Sequence, residues 1–241
     1  MMSKEIMDQM QLQQVHQMDS YWQWNKDNFP WHYDPSSKES DVQYVGRFVS
    51  KRLQDGVDNV IKNFKKDDVY DEVSIKGEPF NDEAKEIMEG YHNDLTRAGY
   101  TSHNTGGRQT RENLPAIFSI LGEVSGLWNP QLMFLEQPPG RFVPWHRDSY
   151  NNYRRNFAKV SDDTEVIRYL VQLNDWNWGH YVAVGNDVIH QYKMGDIHCW
   201  PEGIYHCTGN AGLWPRYCLT ITGCVTPDAL HLKKATDFII K

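Results

Sequence analysis

Two short segments of this chain hold side chains suited to bind a metal. The first, Gly140–Asp148 (GRFVPWHRD), offers His146 and Asp148. The second, Gly195–Arg216 (GDIHCWPEGIYHCTGNAGLWPR), offers His206 and, ten residues later, Arg216. Two imidazoles and one carboxylate on one face of a metal leave the opposite coordination positions open, which suits a non-haem Fe(II) oxygenase, although Mn, Co, Ni or Zn fit the same ligands. An arginine adds a planar fork of donors for a carboxylate co-substrate, a contact that lysine makes differently. On an extended segment residues two apart share a face, so His146 and Asp148 can converge on one ion while Arg147 points elsewhere. An HxD alone carries little, because a chain with 10 histidines and many acids contains one by chance.

The second segment carries more. Gly195, Pro201, Gly203, His206 and Asn210 stand at the spacing G-x5-P-x-G-x2-H-x3-N, and upstream Gly140, His146 and Asp148 stand at G-x5-H-x-D. The former reproduces the second motif of the cupin superfamily. The latter matches the start of the first, with Asp where many cupins have His. Over residues 131–225 the chain thus resembles the Fe(II)/2-oxoglutarate-dependent dioxygenases, of the prolyl and aspartyl/asparaginyl hydroxylase kind. The resemblance implies a double-stranded β-helix (jelly-roll, cupin-like) core. It implies His146, Asp148 and His206 as metal ligands and catalytic centre, and Arg216 on the distal carboxylate of 2-oxoglutarate. Arg168, a charge inside the apolar run Val166–Val171, has a precedent in an arginine that binds substrate or 2-oxoglutarate. The implied reaction uses dioxygen, decarboxylates 2-oxoglutarate to succinate and hydroxylates an amino-acid or protein side chain, so the partner is a small-molecule or peptide substrate. Two other readings remain: an oxygenase acting on a nucleic-acid base, and a non-oxidative metal-binding cupin such as an isomerase or sensor.

Other residues near these motifs have plainer roles. Thr220 and Thr222 are strand formers that can lend a hydroxyl. Asn210 supports the turn after His206, and Trp145 and Trp200 pack beside the site. His180, His190 and His198 read as core or surface histidines. The polar stretch Tyr150–Thr164 is either a lid, with Tyr150, Tyr153, Arg154 and Arg155 touching substrate, or an exposed loop. His146–Asp148 spells the HRD of a kinase catalytic loop, but Tyr153 stands where that loop needs Asn. No GxSxG, Walker A or GxGxxG occurs.

The elements that must position these residues change character along the chain. The first 125 residues read as a mainly helical flank, with helices over 41–64 (Val42, Val45, Phe48, Val49, Leu53, Val57, Val60), 82–97 and 114–124, and a polar loop over 101–113. From residue 131 short β-like runs follow: 132–137, 142–147, 166–173, 181–184, 188–192, 197–200 and 217–225, with a hairpin signal at Gly185-Asn186. The tail after Pro227 closes an edge as a short helix or strand. With no Pro/Gly/Ser linker, the 241 residues read as one mainly β domain with N-terminal helices packed on its outside.

A net charge of −7 argues against broad nucleic-acid binding, which needs a cationic face, although Arg108, Arg111, Arg154 and Arg155 can form a local basic groove. No run of 18 apolar residues marks a membrane span, and the N-terminus lacks an apolar signal-peptide region. Cys199, Cys207, Cys218 and Cys224 form no CxxC pair and read as reduced thiols of a cytoplasmic protein. The oligomeric state stays open.

Overall fold

The long strands of this chain alternate between two different interiors. In the computed structural model, which describes residues 40–65, 68–70, 89–90, 92–93, 95–234 and 236–240, the last core strand shows this best. It sends Tyr217, Leu219 and Ile221 into one apolar cluster with Phe118 and Leu121, and Cys218 into another with Val182 and Val184. A strand whose neighbours point to opposite faces builds such a two-sided layer when both faces are covered.

The elements run β1 (Gln43–Val49), α1 (Leu53–Asn63), β2 (Val69–Tyr70), β3 (Gly107–Thr110), α2 (Ala116–Val124), β4 (Trp128–Gln137) and β5 (Arg141–His146). One π-helical turn (Tyr153–Ala158) follows, then β6 (Val166–Gln172), β7 (His180–Val184), β8 (Asp187–Ile189), β9 (Asp196–Cys199), β10 (His206–Asn210), β11 (Arg216–Cys224), a 3-10 turn (Leu230–Leu232) and β12 (Thr236–Ile239). They form an eight-stranded sheet, β12-β1-β9-β6-β11-β4-β3-β2, and a four-stranded sheet, β5-β10-β7-β8. Within the run β4 to β11 the chain alternates between the sheets except at the β7–β8 hairpin, giving β9-β6-β11-β4 facing β5-β10-β7-β8 with antiparallel pairs throughout. That order is the double-stranded β-helix expected of a cupin-like core. The β7–β8 hairpin turns at Gly185-Asn186 as its sequence signals.

α1 and α2 pack on the outer face of the large sheet, burying Leu53, Val57, Val60, Ile117, Phe118 and Leu121 at helical spacing against Phe134, Leu219 and Ile221. Each such side chain contributes about 1.5–3 kcal/mol by leaving water. The mainly helical reading of residues 1–125 needs correction, because the described part also supplies three strands. The helix expected over 41–64 is strand β1 followed by α1. The reason is a bulge: the β1–β9 register shifts between Tyr44 and Gly46, and Gly46 sits at φ 141°. The extra residue puts Val45 and Phe48, three apart, into the same core, which imitates a helical repeat. The loop expected over 101–113 contains β3, paired to β4. Of the helix expected over 82–97, residues 89, 90, 92, 93 and 95–97 are helical and most of the rest lies outside the described residues. The tail does close an edge, with β12 parallel to β1. Among the described residues no helix is long and apolar enough to cross a membrane.

Candidate metal centre

β5 and β10 are antiparallel neighbours, and their register sets His146 directly opposite His206, with ring centroids 4.3 Å apart. Between His206 and Thr208 the register slips, because three steps along β5 match two along β10. Pro144 lies in the slipped stretch, where a residue without an N–H costs the ladder least. Its carbonyl faces His146 Nδ1 at 2.8 Å, and the carbonyl of Ile204 faces His206 Nδ1 at 3.0 Å. A carbonyl only accepts, so both rings carry their proton on Nδ1 and keep a lone pair on Nε2, the arrangement of metal-binding imidazoles.

Asp148 follows just past the end of β5, with Oδ2 3.6 Å from His206 Nε2. The ligand atoms of His146, Asp148 and His206 all lie within 4.8 Å of one another. Metal–ligand bonds of about 2.0–2.2 Å place ligands about 3–4 Å apart, so a divalent ion fits with little adjustment. Burial opposes charge on Asp148, but Arg168, His206 and His146 outweigh it and bring its pKa down to about 2. Burial, aided by His146, lowers His206 to about 3, so its ring is neutral at physiological pH. An ionised carboxylate and a neutral imidazole are the forms that ligate metal.

Arg168 comes from β6, where it pairs with Thr222 of β11. Its Nε donates to Thr222 Oγ1 at 2.9 Å, its Nη1 donates to Asp148 Oδ2, and its guanidinium lies 5.1 Å from the Tyr150 ring centroid. The Thr222 hydroxyl thus accepts from Arg168. Trp200 walls the site, its ring 5.0 Å from His206, whereas Trp145 stacks on Tyr205.

The stretch after Asp148 is pinned at Tyr150, Tyr153 and Arg154, while most of its other residues are exposed. Glu202, from the turn before His206, accepts from the backbone N–H of Tyr150 at 2.9 Å and takes both Nη atoms of Arg154, at 3.0 and 2.6 Å. Arg155 pairs with Asp162 on the surface, and Tyr153 donates its hydroxyl to the Asn129 carbonyl. Of the four residues that the lid alternative would have touch substrate, Tyr150 lies beside the triad, next to Arg168, and Tyr153, Arg154 and Arg155 bond elsewhere in the fold. The basic groove is likewise neutralised at Arg108, which binds Glu136, and at Arg154 and Arg155.

Arg216 opens β11 at the other end of the lumen. Its side chain is 3% exposed, and it meets Gln137 Oε1 at 3.4 Å and Gln172 Oε1 at 3.5 Å, both long contacts to neutral groups. Its Nε has no partner among the described residues. Between the two polar ends lie Leu135, Leu170, Val182, Val184 and Cys218. Asn210 does support its turn, donating to the carbonyls of Gln137 and Trp214 and accepting from the Gly212 N–H. His180 is tied to the Trp214 carbonyl and the Tyr192 hydroxyl, His190 is exposed, and neither they nor His198 join the triad. Sequence reasoning missed Glu202, Gln137 and Gln172. Gln172 was within reach, standing two and four residues beyond Leu170 and Arg168 on one strand face.

No family model matches this chain, and no curated protein matches it. Among solved structures it is similar to AviO1 from Streptomyces viridochromogenes Tue57, at 16% identity over 79% of this chain and 92% of that one, with a TM-score of 0.41. It is similar to EvdMO1 at 16% identity over 79% of this chain and 48% of that one, TM-score 0.41. A cupin domain from Bordetella pertussis Tohama I aligns at 15% identity over 53% of this chain and 100% of that one, TM-score 0.32. The fold itself rests on the strand order, which is that of a cupin-type double-stranded β-helix.

Proposed function

We propose that this chain is a non-haem Fe(II)- and 2-oxoglutarate-dependent oxygenase that hydroxylates an amino-acid or peptide side chain. The observation that carries the reading is the coexistence, in one lumen, of a two-histidine-one-carboxylate group and a buried arginine with no carboxylate partner among the described residues. The guanidinium faces the Gln137 and Gln172 amides and the Tyr192 hydroxyl, all neutral, and a buried charge so placed is costly unless an anion completes it.

Bound Fe(II) supplies the coupling of dioxygen reduction to 2-oxoglutarate decarboxylation. The chain's own residues do the rest. His146 and His206 offer Nε2 lone pairs, fixed in direction by their Nδ1 contacts. Asp148 adds one negative charge, and Arg168 holds that carboxylate in place. Arg216 anchors the far carboxylate of the co-substrate, and the apolar layer between suits its methylene groups. Trp200 and Tyr150 limit water at the triad. The free cysteines fit a reducing compartment such as the cytoplasm.

The test is succinate release from 2-oxoglutarate in air by the Fe(II)-loaded protein, alone and with a panel of amino acids and peptides. We expect release from the wild type and none from Arg216→Ala, which still binds metal. A metal-loaded wild type that releases no succinate with any of them, and binds 2-oxoglutarate no better than Arg216→Ala, contradicts the reading and favours a non-oxidative cupin.

A further inference from the structure

Four buried side-chain polar atoms have no hydrogen-bond partner among the described residues, and three of them, Arg216 Nε, Gln172 Nε2 and His198 Nδ1, belong to neighbouring residues of one sheet face. The fourth, His92 Nδ1, belongs to the N-terminal flank. Gln172 lies across from Cys218, two residues along β11 from Arg216, and its Oε1 already meets Arg216 Nη2. His198 lies across from Leu170, two residues before Gln172 on β6, and Arg216 is among the charges that act on it. Exposure is 3% for Arg216, 0% for Gln172 and 9% for His198.

Native interiors pair their buried polar groups, and three orphans on one patch mark an absent partner. Arg216 Nε and Gln172 Nε2 are donors only, and His198 Nδ1 is a donor in one of its two neutral tautomers. The absent partner is therefore an acceptor with several lone pairs. Among the three residues the guanidinium is the single full charge, and Asp196 beside His198 is already paired with Arg47, so one further negative charge balances the patch. A carboxylate meets both conditions.

We propose that His198 and Gln172 act with Arg216 as direct donors to the terminal carboxylate of the bound 2-oxoacid, forming a three-residue anion site. This rests on the oxygenase reading above and adds two residues that recognise the co-substrate. A neutral His198 contributes a hydrogen bond without a second positive charge. Gln172 turns its amide N–H to the ligand while its oxygen stays on Arg216.

The experiment is calorimetric titration of 2-oxoglutarate into Mn(II)-loaded protein, with Mn(II) affinity and melting temperature measured in parallel. His198→Phe should weaken 2-oxoglutarate binding about tenfold or more, the ordinary worth of a hydrogen bond to a charged group. His198→Asn, which keeps an N–H near Nδ1, should restore binding to within about threefold of wild type. Gln172→Glu should weaken it about tenfold or more, because the new carboxylate takes the place of the ligand's on Arg216. Mn(II) affinity should not change in any of them. If His198→Phe does not fold, His198→Asn and Gln172→Glu carry the test. If His198→Phe and Gln172→Glu bind as wild type while Arg216→Ala does not bind, the three-residue site is wrong and the oxygenase reading stands. Equal loss in His198→Phe and His198→Asn also overturns the donor role of His198. If Arg216→Ala binds as wild type, or wild type does not bind at all, both fall.

Discussion

His198 makes the pH dependence of folding a sharp test of how dry the lumen is. Its neighbours are Tyr44, whose ring centroid is 5.4 Å away, Asp196 on its own strand and Arg216 on β11. Burial lowers its pKa most, Asp196 pulls it up and Arg216 pushes it down, and the balance is about 4 against an ordinary 6.5. The sign follows from proton counting. Below pH 6.5 the unfolded chain takes up a proton at this ring and the folded chain does not until about pH 4, so acid favours unfolding. The stability tied to this neutral ring is complete above pH 6.5 and lost as pH falls through about 4. At 1.36 kcal/mol per pKa unit, the loss between pH 7 and pH 4 is about 3 kcal/mol from this residue. His198→Asn removes the titration and keeps a polar side chain. Urea unfolding of both metal-free proteins at pH 7, 6, 5 and 4 should therefore show the wild type falling about 3 kcal/mol further than the variant. Other histidines shift both curves alike and cancel in the difference. Parallel curves would refute the reasoning, because they would mean that His198 is as well solvated in the fold as in the unfolded chain.

Three further outcomes follow from other parts of the molecule. Asp148→Asn leaves the Arg168 guanidinium without its anion, so metal-free protein should lose about 3 kcal/mol in urea unfolding, and adding Arg168→Met should recover much of it; a single variant as stable as wild type contradicts that ion pair. Gly195→Ala forces a side chain into a backbone at φ 88°, with its Cβ 2.0 Å from the Phe48 carbonyl oxygen, and should cost about 2 kcal/mol or more, seen as a lower melting temperature. Phe134→Ala empties the space beneath Phe64, Phe118 and Tyr217 and should cost about 3–5 kcal/mol by the same assay. An unchanged melting temperature in either variant would contradict the packing described.

What the sequence made legible was local. His146, Asp148 and His206 could be picked out because each candidate ligand sits in a short motif whose glycines and prolines mark the turns around it. Arg216 could be picked out because one turn joins β10 to β11. Strands with apolar alternation, such as β6 and β11, were readable for the same reason. β10 itself was not: His206–Asn210 reads HCTGN, with no β-branched or aromatic run, and it is a strand because β5 and β7 flank it on both sides. β1 was misread because a bulge at Gly46 reset its alternation. The burial of Arg154 is set by Glu202, which is 48 residues away along the chain. Pairing at that range leaves no periodic trace in sequence. The place of Gln172 on the strand face of Arg168 and Leu170 was readable, but that Gln172 and His198 lack a hydrogen-bond partner among the described residues shows only in the fold.

The most direct test of the central claim is an anaerobic titration of metal-free protein with Fe(II) and then 2-oxoglutarate, followed by visible absorption. The account predicts a weak metal-to-ligand charge-transfer band that needs both additives and is absent in His206→Ala. A folded protein that binds Fe(II) at His146, Asp148 and His206 but gives no band with 2-oxoglutarate would contradict it.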